Sequence, residues 1–268
     1  MITSLQNPRI KAAAKLRDAR HRRRQGRFLI DGLREIRRAV LGHFDLLEVY
    51  YCGEKCAKTQ MRALASMWGD FESEPDEVSP EVFGKLAFGD RAEGIVAVAR
   101  TPELVLDAFE PPKDALVAVI EGVEKPGNVG AVLRSADAAG VNAVVVADGG
   151  TDLFNPNTIR ASLGTIFTLP VSTATTKETL AWLRQYKMAI YAARVDGAVN
   201  YTDADYCRPA AIVLGSEAKG LSAAWSGEDV TAVSLPMRGQ GDSLNLSAAA
   251  AVLFYEALRQ RRRAGNER

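Results

Sequence analysis

In the second half of the chain, short runs of apolar residues alternate with stretches of helical spacing, and this pattern constrains the fold most. Residues 116–120 read Leu-Val-Ala-Val-Ile, and residues 143–147 read Ala-Val-Val-Val-Ala. A strand that is apolar at every position is buried on both faces, which is typical of a parallel sheet covered by helices. The sequence therefore predicts an α/β fold with a mostly parallel sheet.

Further elements continue the alternation downstream. Four more strands are predicted at 167–171, 188–192, 211–214 and 232–235. Helices are predicted at 128–139, 156–163, 177–187 and 245–261.

The first hundred residues predict a second, smaller α/β domain. Its strands are predicted at 27–31, 46–51 and 94–99, and its helices at 32–42 and 58–68. The segment that follows contains three prolines, which interrupt regular structure. We therefore predict a domain at 1–100, a linker at 101–114 and a domain at 115–268.

Charge is concentrated at the two ends of the chain, although the net charge is only +1. Residues 1–40 carry twelve basic and three acidic side chains, and residues 259–268 carry five arginines and one glutamate. Basic ends around an acidic middle favour a polyanion such as nucleic acid as partner, and a solvated basic helix is the alternative. No aromatic residue interrupts the arginines of 17–27, which favours phosphate contact over base stacking. The candidate nucleic-acid-binding residues are Arg20, Arg22, Arg23, Arg24 and Arg27.

Several functional classes are excluded by composition. Both histidines, His21 and His43, lie near the start, so the rest of the chain has neither Ser-His-Asp catalysis nor a histidine-rich metal site. Three cysteines cannot form a disulfide framework, and no apolar run approaches the ~20 residues that span a bilayer. No apolar signal core is present near the N-terminus. We therefore predict a cytoplasmic protein that uses no metal and no membrane.

The first polar motif, at residues 121–134, reads Glu-Gly-Val-Glu-Lys-Pro-Gly-Asn-Val-Gly-Ala-Val-Leu-Arg. Its first two glycines have the spacing of a P-loop. However, Asn and Val follow the second glycine, where a P-loop needs Lys and then Ser or Thr for phosphates and magnesium. The motif therefore does not predict a nucleoside triphosphatase. A helix N-cap at Asn128 and a surface charge at Arg134 are the alternatives to functional roles.

Two more polar motifs follow later strands. Residues 212–221 read Ile-Val-Leu-Gly-Ser-Glu-Ala-Lys-Gly-Leu, which places Glu217 just beyond a buried strand. Residues 235–245 read Leu-Pro-Met-Arg-Gly-Gln-Gly-Asp-Ser-Leu-Asn, which crowds Ser243 and Asn245 at the start of the last helix. Such positions at the carboxyl ends of strands collect the polar groups of α/β sites. The alternatives are a simple early-helix acid and a simple N-cap.

Together and in this order, the three motifs resemble the signature motifs of the SpoU-type (TrmH-like) RNA 2′-O-ribose methyltransferases of the SPOUT superfamily. The resemblance covers about 115–262, and residues 1–100 resemble the substrate-binding domain of the ribosomal-RNA members. It implies an α/β sheet whose C-terminal part forms a deep trefoil knot, a homodimer, and S-adenosyl-L-methionine (AdoMet) as methyl donor. Ala218 stands where the family often has Gly, which could change the backbone freedom of that loop slightly.

Motif position also implies roles for individual residues. The implied functional residues are Asn128, Arg134, Glu217, Ser243 and Asn245. The implied AdoMet contacts are Leu214, Gly215, Leu235, Met237 and Leu244. The family's arginine is proposed as general base, but a guanidinium is normally only a donor. We therefore favour phosphate binding and stabilisation of the developing alkoxide for Arg134, with Glu217 organising the loops.

The resemblance predicts an enzyme that transfers a methyl group from AdoMet to a ribose 2′-hydroxyl of RNA, with ribosomal RNA (rRNA) favoured over transfer RNA (tRNA). One alternative is a related knotted methyltransferase that acts on tRNA or on a base nitrogen. Another is a non-catalytic RNA-binding factor in ribosome assembly. The presence of all five polar positions favours the ribose methyltransferase.

Overall fold

The structure is a computed structural model that describes residues 1–65, 74–88 and 93–266. The chain divides by internal contacts into two units. The first unit comprises Met1–Glu103 and Asp152–Thr168, and the second comprises Leu104–Thr151 and Leu169–Arg268. Among the described residues, no helix is long and apolar enough to cross a membrane.

The α-helices are α1 (Pro8–Lys15), α2 (Ala19–Gln25), α3 (Leu33–Leu41), α4 (Lys58–Ala65), α5 (Pro80–Leu86), α6 (Pro126–Ala138), α7 (Pro156–Ala161), α8 (Thr176–Gln185) and α9 (Leu246–Asn266). The strands are β1 (Arg27–Asp31), β2 (Leu46–Tyr51), β3 (Asp76–Glu77), β4 (Ile95–Arg100), β5 (Leu116–Glu121), β6 (Ala143–Ala147), β7 (Val171–Ala174), β8 (Ala189–Ala193), β9 (Val199–Asn200), β10 (Ala210–Leu214) and β11 (Val230–Ser234). Four short 3₁₀ turns are described at Leu106–Ala108, Thr165–Phe167, Tyr201–Asp203 and Ala223–Ser226.

The first unit is built on a four-stranded sheet in the order β1-β4-β2-β3. Strand β4 is antiparallel to β1 and β2, and β3 is parallel to β2. The strands predicted in this part are confirmed within one residue, and α3 confirms the helix predicted at 32–42. The helix predicted at 58–68 is described as α4, and its last three predicted residues lie outside the described residues.

The second unit is built on a seven-stranded sheet in the order β7-β6-β5-β10-β8-β11-β9. Every pairing in this sheet is parallel, which confirms the predicted mostly parallel sheet. Strand β10 lies between β5 and β8, with Leu214 opposite Ile120. The loops that follow β5 and β10 therefore leave the sheet side by side. Helix α6 packs against α9 within the same unit.

Of the strand predicted at 167–171, only Val171 belongs to a strand in the structure. Phe167 ends a 3₁₀ turn, and the strand begins only at Val171. The ring of Phe167 packs instead in an aromatic cluster of the first unit, with its centroid 5.0 Å from that of Phe44 and 6.1 Å from that of Phe28. Phe28 also stacks on Phe154 at 4.2 Å. The sequence predicts 115–268 as one domain, whereas the structure groups the segment Asp152–Thr168 with the first unit.

A buried ion pair joins two distant parts of the first unit. The side chain of Arg22 is only 3% exposed, and its Nε donates to Asp152 Oδ2 at 2.6 Å. Its Nη1 donates to the backbone carbonyls of Leu16 and Arg17 at 2.7 and 2.8 Å. Because the guanidinium has both an ionic partner and hydrogen-bond acceptors, its desolvation is compensated.

Replacing Arg22 should destabilise the protein strongly. Arg22→Ala leaves the Asp152 carboxylate without its partner, and breaking a buried pair from one side costs about 3–5 kcal/mol. We expect a lower midpoint in urea denaturation followed by circular dichroism. The matched control is Arg23→Ala at the exposed neighbouring position, which should change stability by less than about 0.5 kcal/mol. Equal midpoints for the two variants would contradict a structural role for Arg22.

Candidate active site

A cavity of about 500 Å³ lies within the second unit at the carboxyl ends of β8 and β10. This volume is in the range of about 300–1,000 Å³ that is typical of small-molecule sites. Its lining includes all five residues that the sequence predicts as AdoMet contacts, Leu214, Gly215, Leu235, Met237 and Leu244. Apolar side chains from the start of α9, Leu246 and Ala249, complete one wall. The carboxyl edge of the sheet is therefore the candidate ligand site.

The wall of the cavity after β10 depends on the absence of a side chain at Gly215. A Cβ there would lie 2.2 Å from the carbonyl carbon of Gly220, far inside van der Waals contact. Ser216 and Gly220 form an isolated bridge, and the Gly220 N–H donates to the Ser216 carbonyl at 2.8 Å. The loop therefore folds back tightly on the strand end and leaves the cavity open beside it.

Glu217, in the turn closed by that bridge, connects all three polar motifs. Its Oε2 accepts from Lys125 Nζ at 2.7 Å, and its Oε1 accepts from Asn128 Nδ2 at 3.0 Å. Oε1 also accepts a hydrogen bond from Asn245 Nδ2, which in turn lies 3.5 Å from Asn128 Oδ1. One carboxylate therefore joins the loop before α6, the loop after β10 and the residue before α9.

These contacts stabilise the charged form of Glu217. The hydrogen bond from Lys125 lowers the pKa of Glu217 below its ordinary value, and the Leu246 N–H and the Asn128 amide act in the same direction. The same contact raises the pKa of Lys125. The pair is therefore a carboxylate and an ammonium throughout the neutral range.

The structure tests the alternative in which the two asparagines are simple helix caps. Lys125 is the N-cap of α6, so Asn128 lies inside the helix and is not a cap. Asn245 is a helix cap and also a member of the network. Its Oδ1 accepts from the Ser247 N–H at 2.9 Å, as a helix cap does, while its Nδ2 donates to Glu217. The turn position of Glu217 likewise rules out an early-helix acid.

Two of the five predicted functional residues lie outside this network. Arg134 is exposed on α6, and its guanidinium has no hydrogen bond or ion pair with any residue that the structure describes. Ser243 lines the cavity, but its hydroxyl likewise has no partner in the described ranges. The structure therefore brings Asn128, Glu217 and Asn245 together and leaves Arg134 and Ser243 with unoccupied donors.

Sequence reasoning missed two residues of this region, Lys125 and Glu121. Glu121 ends β5 and is buried, and its carboxylate accepts from Thr176 Oγ1 at 2.6 Å and from the N–H and hydroxyl of Ser222, each at 2.7 Å. Burial alone raises the pKa of Glu121, but these hydrogen bonds outweigh it and lower the pKa. A lone glutamate at the end of an apolar strand, and a lysine three residues before Asn128, were the available signals.

The candidate nucleic-acid-binding arginines of the first unit fall into three groups. Arg20, Arg23 and Arg24 are exposed on α2. Arg27 is half-buried and donates to Glu48 Oε1 at 3.0 Å. Arg22 is buried with its guanidinium paired, as described above, so its interpretation as an RNA contact is wrong and its role is structural. No cluster of three or more metal-ligating side chains is found among the described residues.

Known proteins share both the sequence and the fold. The model of the SpoU rRNA Methylase family matches residues 115–255, and the MRM3-like substrate binding domain matches residues 7–97. A 23S rRNA (uridine(2479)-2′-O)-methyltransferase of Streptomyces viridochromogenes is 32% identical, over 90% of this chain and 85% of its own.

Two solved structures cover nearly the whole chain. A crystal structure of an RNA 2′-O ribose methyltransferase is 43% identical, with a TM-score of 0.82, over 97% of this chain and 98% of its own. An AdoMet-bound rRNA methyltransferase from Sinorhizobium meliloti is 27% identical, with a TM-score of 0.87, over 96% and 97%.

These matches and the cavity at the sheet edge define the class of protein, an α/β methyltransferase with an added substrate-binding unit. More particularly, the chain belongs to the SpoU rRNA methylase family, since the family model covers more than half of it.

Glu217→Gln should impair turnover much more than cofactor binding. A glutamine offers one acceptor oxygen, and its amide would face the donors of Lys125, Asn128 and Asn245. We expect kcat to fall at least about tenfold, as when an organised polar network loses its hub. AdoMet affinity, measured by calorimetry, should change less than about threefold. Glu228→Gln, at an exposed position outside the cavity lining, is the control, and an equal effect of both substitutions would contradict the assignment.

Proposed function

We propose that this protein transfers the methyl group of AdoMet to a ribose 2′-hydroxyl of RNA, with rRNA as its substrate class. The observation that carries the proposal is the Asn128–Glu217–Asn245 network, which stands at the edge of a cavity lined by the predicted AdoMet contacts. The rRNA 2′-O-methyltransferase activity of the Streptomyces relative supports the same substrate class.

The residues of the cavity fit AdoMet. Apolar side chains such as Leu214, Leu235 and Leu246 suit the adenine ring, and the glycine at 215 leaves backbone groups accessible. Charged side chains at the same cavity suit the polar methionyl end. When bound, AdoMet supplies an electrophilic methyl group, and the protein's task is to hold a weak nucleophile, the 2′-hydroxyl, in line with it.

We assign each polar residue a role either from its contacts or from its unoccupied donors. Glu217 accepts three side-chain hydrogen bonds and has a lowered pKa, which makes it a weak base, so it fixes Asn128 and Asn245 rather than taking the proton. Arg134 has unoccupied donors and can bind the phosphate beside the target ribose and stabilise the developing alkoxide. Ser243 can donate to the same phosphate.

The family resemblance supports a knot and a homodimer, and the small number of cysteines favours the cytoplasm. The C-terminal part of the parallel sheet domain threads into the deep trefoil knot of SPOUT proteins, and backbone groups in the knot hold AdoMet in a bent conformation. The protein acts as a homodimer in the cytoplasm. Val252 and Tyr255 of α9, which are 37% and 51% exposed, offer an apolar surface to the second copy.

A transfer assay tests the reaction. Purified protein is incubated with tritiated AdoMet and unmodified rRNA or tRNA, and the digested RNA is separated into nucleosides. We expect label in a 2′-O-methylnucleoside from rRNA. Label in tRNA, or in a methylated base, would replace the proposed substrate or reaction with the alternatives above. No transfer and no AdoMet binding would favour a non-catalytic RNA-binding factor.

Arg134→Ala should lower kcat by about 10²–10³-fold, the size of effect seen when one transition-state donor is removed. AdoMet affinity should stay unchanged, because the residue does not line the cavity. Single-turnover methylation and calorimetry measure the two quantities separately, with Arg160→Ala as an exposed-arginine control in the first unit. Full activity of Arg134→Ala would rule out the role.

The exposed arginines of α2 should contribute to RNA affinity by neutralising phosphates. Replacing Arg20, Arg23 and Arg24 by Gln should flatten the dependence of log affinity on log salt by about 0.7 for each phosphate that is no longer neutralised, or about 2 in total. We propose substitutions and not a deletion of the N-terminal residues, because Ile10 and Leu16, which precede α2, are fully buried. Filter binding over a range of KCl concentrations measures the slope, and an unchanged slope would contradict the proposed role in RNA binding.

A further inference from the structure

The charged side chains that line the cavity differ in whether they have ionic partners within the protein. Five charged side chains line it: Arg194, Asp196, Glu217, Lys219 and Asp242. Three of these already have partners of opposite charge. Arg194 donates from Nε and Nη2 to the two oxygens of Asp196 at 2.8 and 2.9 Å, and Glu217 is paired with Lys125.

Lys219 and Asp242 are the charged lining residues that remain without an ionic partner in the described part of the chain. Both side chains are exposed. Their positions are informative. Lys219 is two residues from Glu217 in the turn after β10, and Asp242 precedes Ser243 in the loop before α9. One unpaired cation and one unpaired anion therefore belong to the two loops that carry the polar network.

The proposed function places methyl transfer beside this network, because the network lies at the edge of the cavity proposed for AdoMet. The methionyl end of AdoMet accordingly lies near the loops that contain Lys219 and Asp242. At neutral pH that end carries an α-carboxylate, an α-ammonium and a sulfonium, whereas the product S-adenosylhomocysteine has lost the sulfonium charge. Donor and product thus differ by one methyl group and one positive charge.

We propose that Lys219 and Asp242 recognise the charges of the methionyl end, with Lys219 pairing with the α-carboxylate and Asp242 with the sulfonium. The inference rests on the proposed function, since it requires that this cavity bind AdoMet. It makes Asp242 a specificity residue: its carboxylate stabilises the bound donor and gives nothing to the neutral thioether product. Release of the product after transfer is thereby favoured over release of the donor.

Calorimetric titration with AdoMet and S-adenosylhomocysteine tests the inference without reference to catalysis. For Asp242→Asn, we expect the Kd of AdoMet to rise about fivefold, the size of a partly exposed ion pair, and that of S-adenosylhomocysteine to change less than about twofold. Equal weakening of both ligands would place the α-ammonium, not the sulfonium, against Asp242 and overturn the proposal. Asp107→Asn, an exposed residue outside the cavity lining, controls for net charge.

Lys219→Gln gives the complementary result. We expect both ligands to bind about fivefold more weakly, since both keep the α-carboxylate, whereas decarboxylated AdoMet should bind the variant and the unsubstituted protein equally. Unchanged affinity for AdoMet would assign Lys219 elsewhere and overturn its part of the proposal. Thermal unfolding of each variant confirms that the exposed substitutions leave the fold intact.

The two levels of the proposal fail in different ways. If the unsubstituted protein binds neither AdoMet nor its product, the assignment of the cavity fails and the charge recognition fails with it. If the unsubstituted protein binds both ligands and the two substitutions change nothing, only the charge recognition fails. The proposed methyltransferase function then stands on the transfer assay.

Discussion

The site depends on a single carboxylate that accepts hydrogen bonds from two other segments of the chain. Glu217 accepts from Lys125 and Asn128 before and within α6, and from Asn245 before α9. The loops themselves are polar and rich in glycine. An ion pair as exposed as that of Glu217 and Lys125 adds little to global stability. The importance of Glu217 is geometric, because its carboxylate connects its own turn to the segments around α6 and before α9.

Glu217 is within reach of these segments because of the order of the strands. The chain forms β5, β6, β7 and β8 before β10 returns to lie between β5 and β8. The register that sets Leu214 opposite Ile120 brings the turn containing Glu217 next to the loop that begins at Glu121. The hydrogen bonds from Ser222 to Glu121 then tie the two loops together beyond the sheet. In the same unit, α6 packs against α9. Asn128 of α6 and Asn245, which directly precedes α9, are also in contact.

The sequence predicts the elements of this fold well because most of the information is local. Five-residue apolar runs indicate buried strands wherever the sheet uses them, and β5, β6 and β10 lie within one residue of their predicted bounds. The prediction is wrong where an apolar residue serves a distant core, as Phe167 does beside Phe44. The local sequence does not distinguish the role of Arg22 from that of Arg23. Only Asp152, 130 residues away, makes one of them structural and leaves the other free.

The candidate site shows the same division between local pattern and distant contact. Motif order identifies Asn128, Glu217 and Asn245, but Lys125 becomes significant only when its ammonium is seen 2.7 Å from Glu217. A side chain whose hydrogen bonds are satisfied within the protein holds the site in shape and has little capacity left for a ligand. Within the described residues, Arg134 on α6 has no side-chain partner, and neither do Ser243, Lys219 and Asp242 in the cavity lining. Under these proposals, shape and recognition are carried by different residues: the network holds the loops, and the unpaired groups are the ones we propose to bind RNA and cofactor.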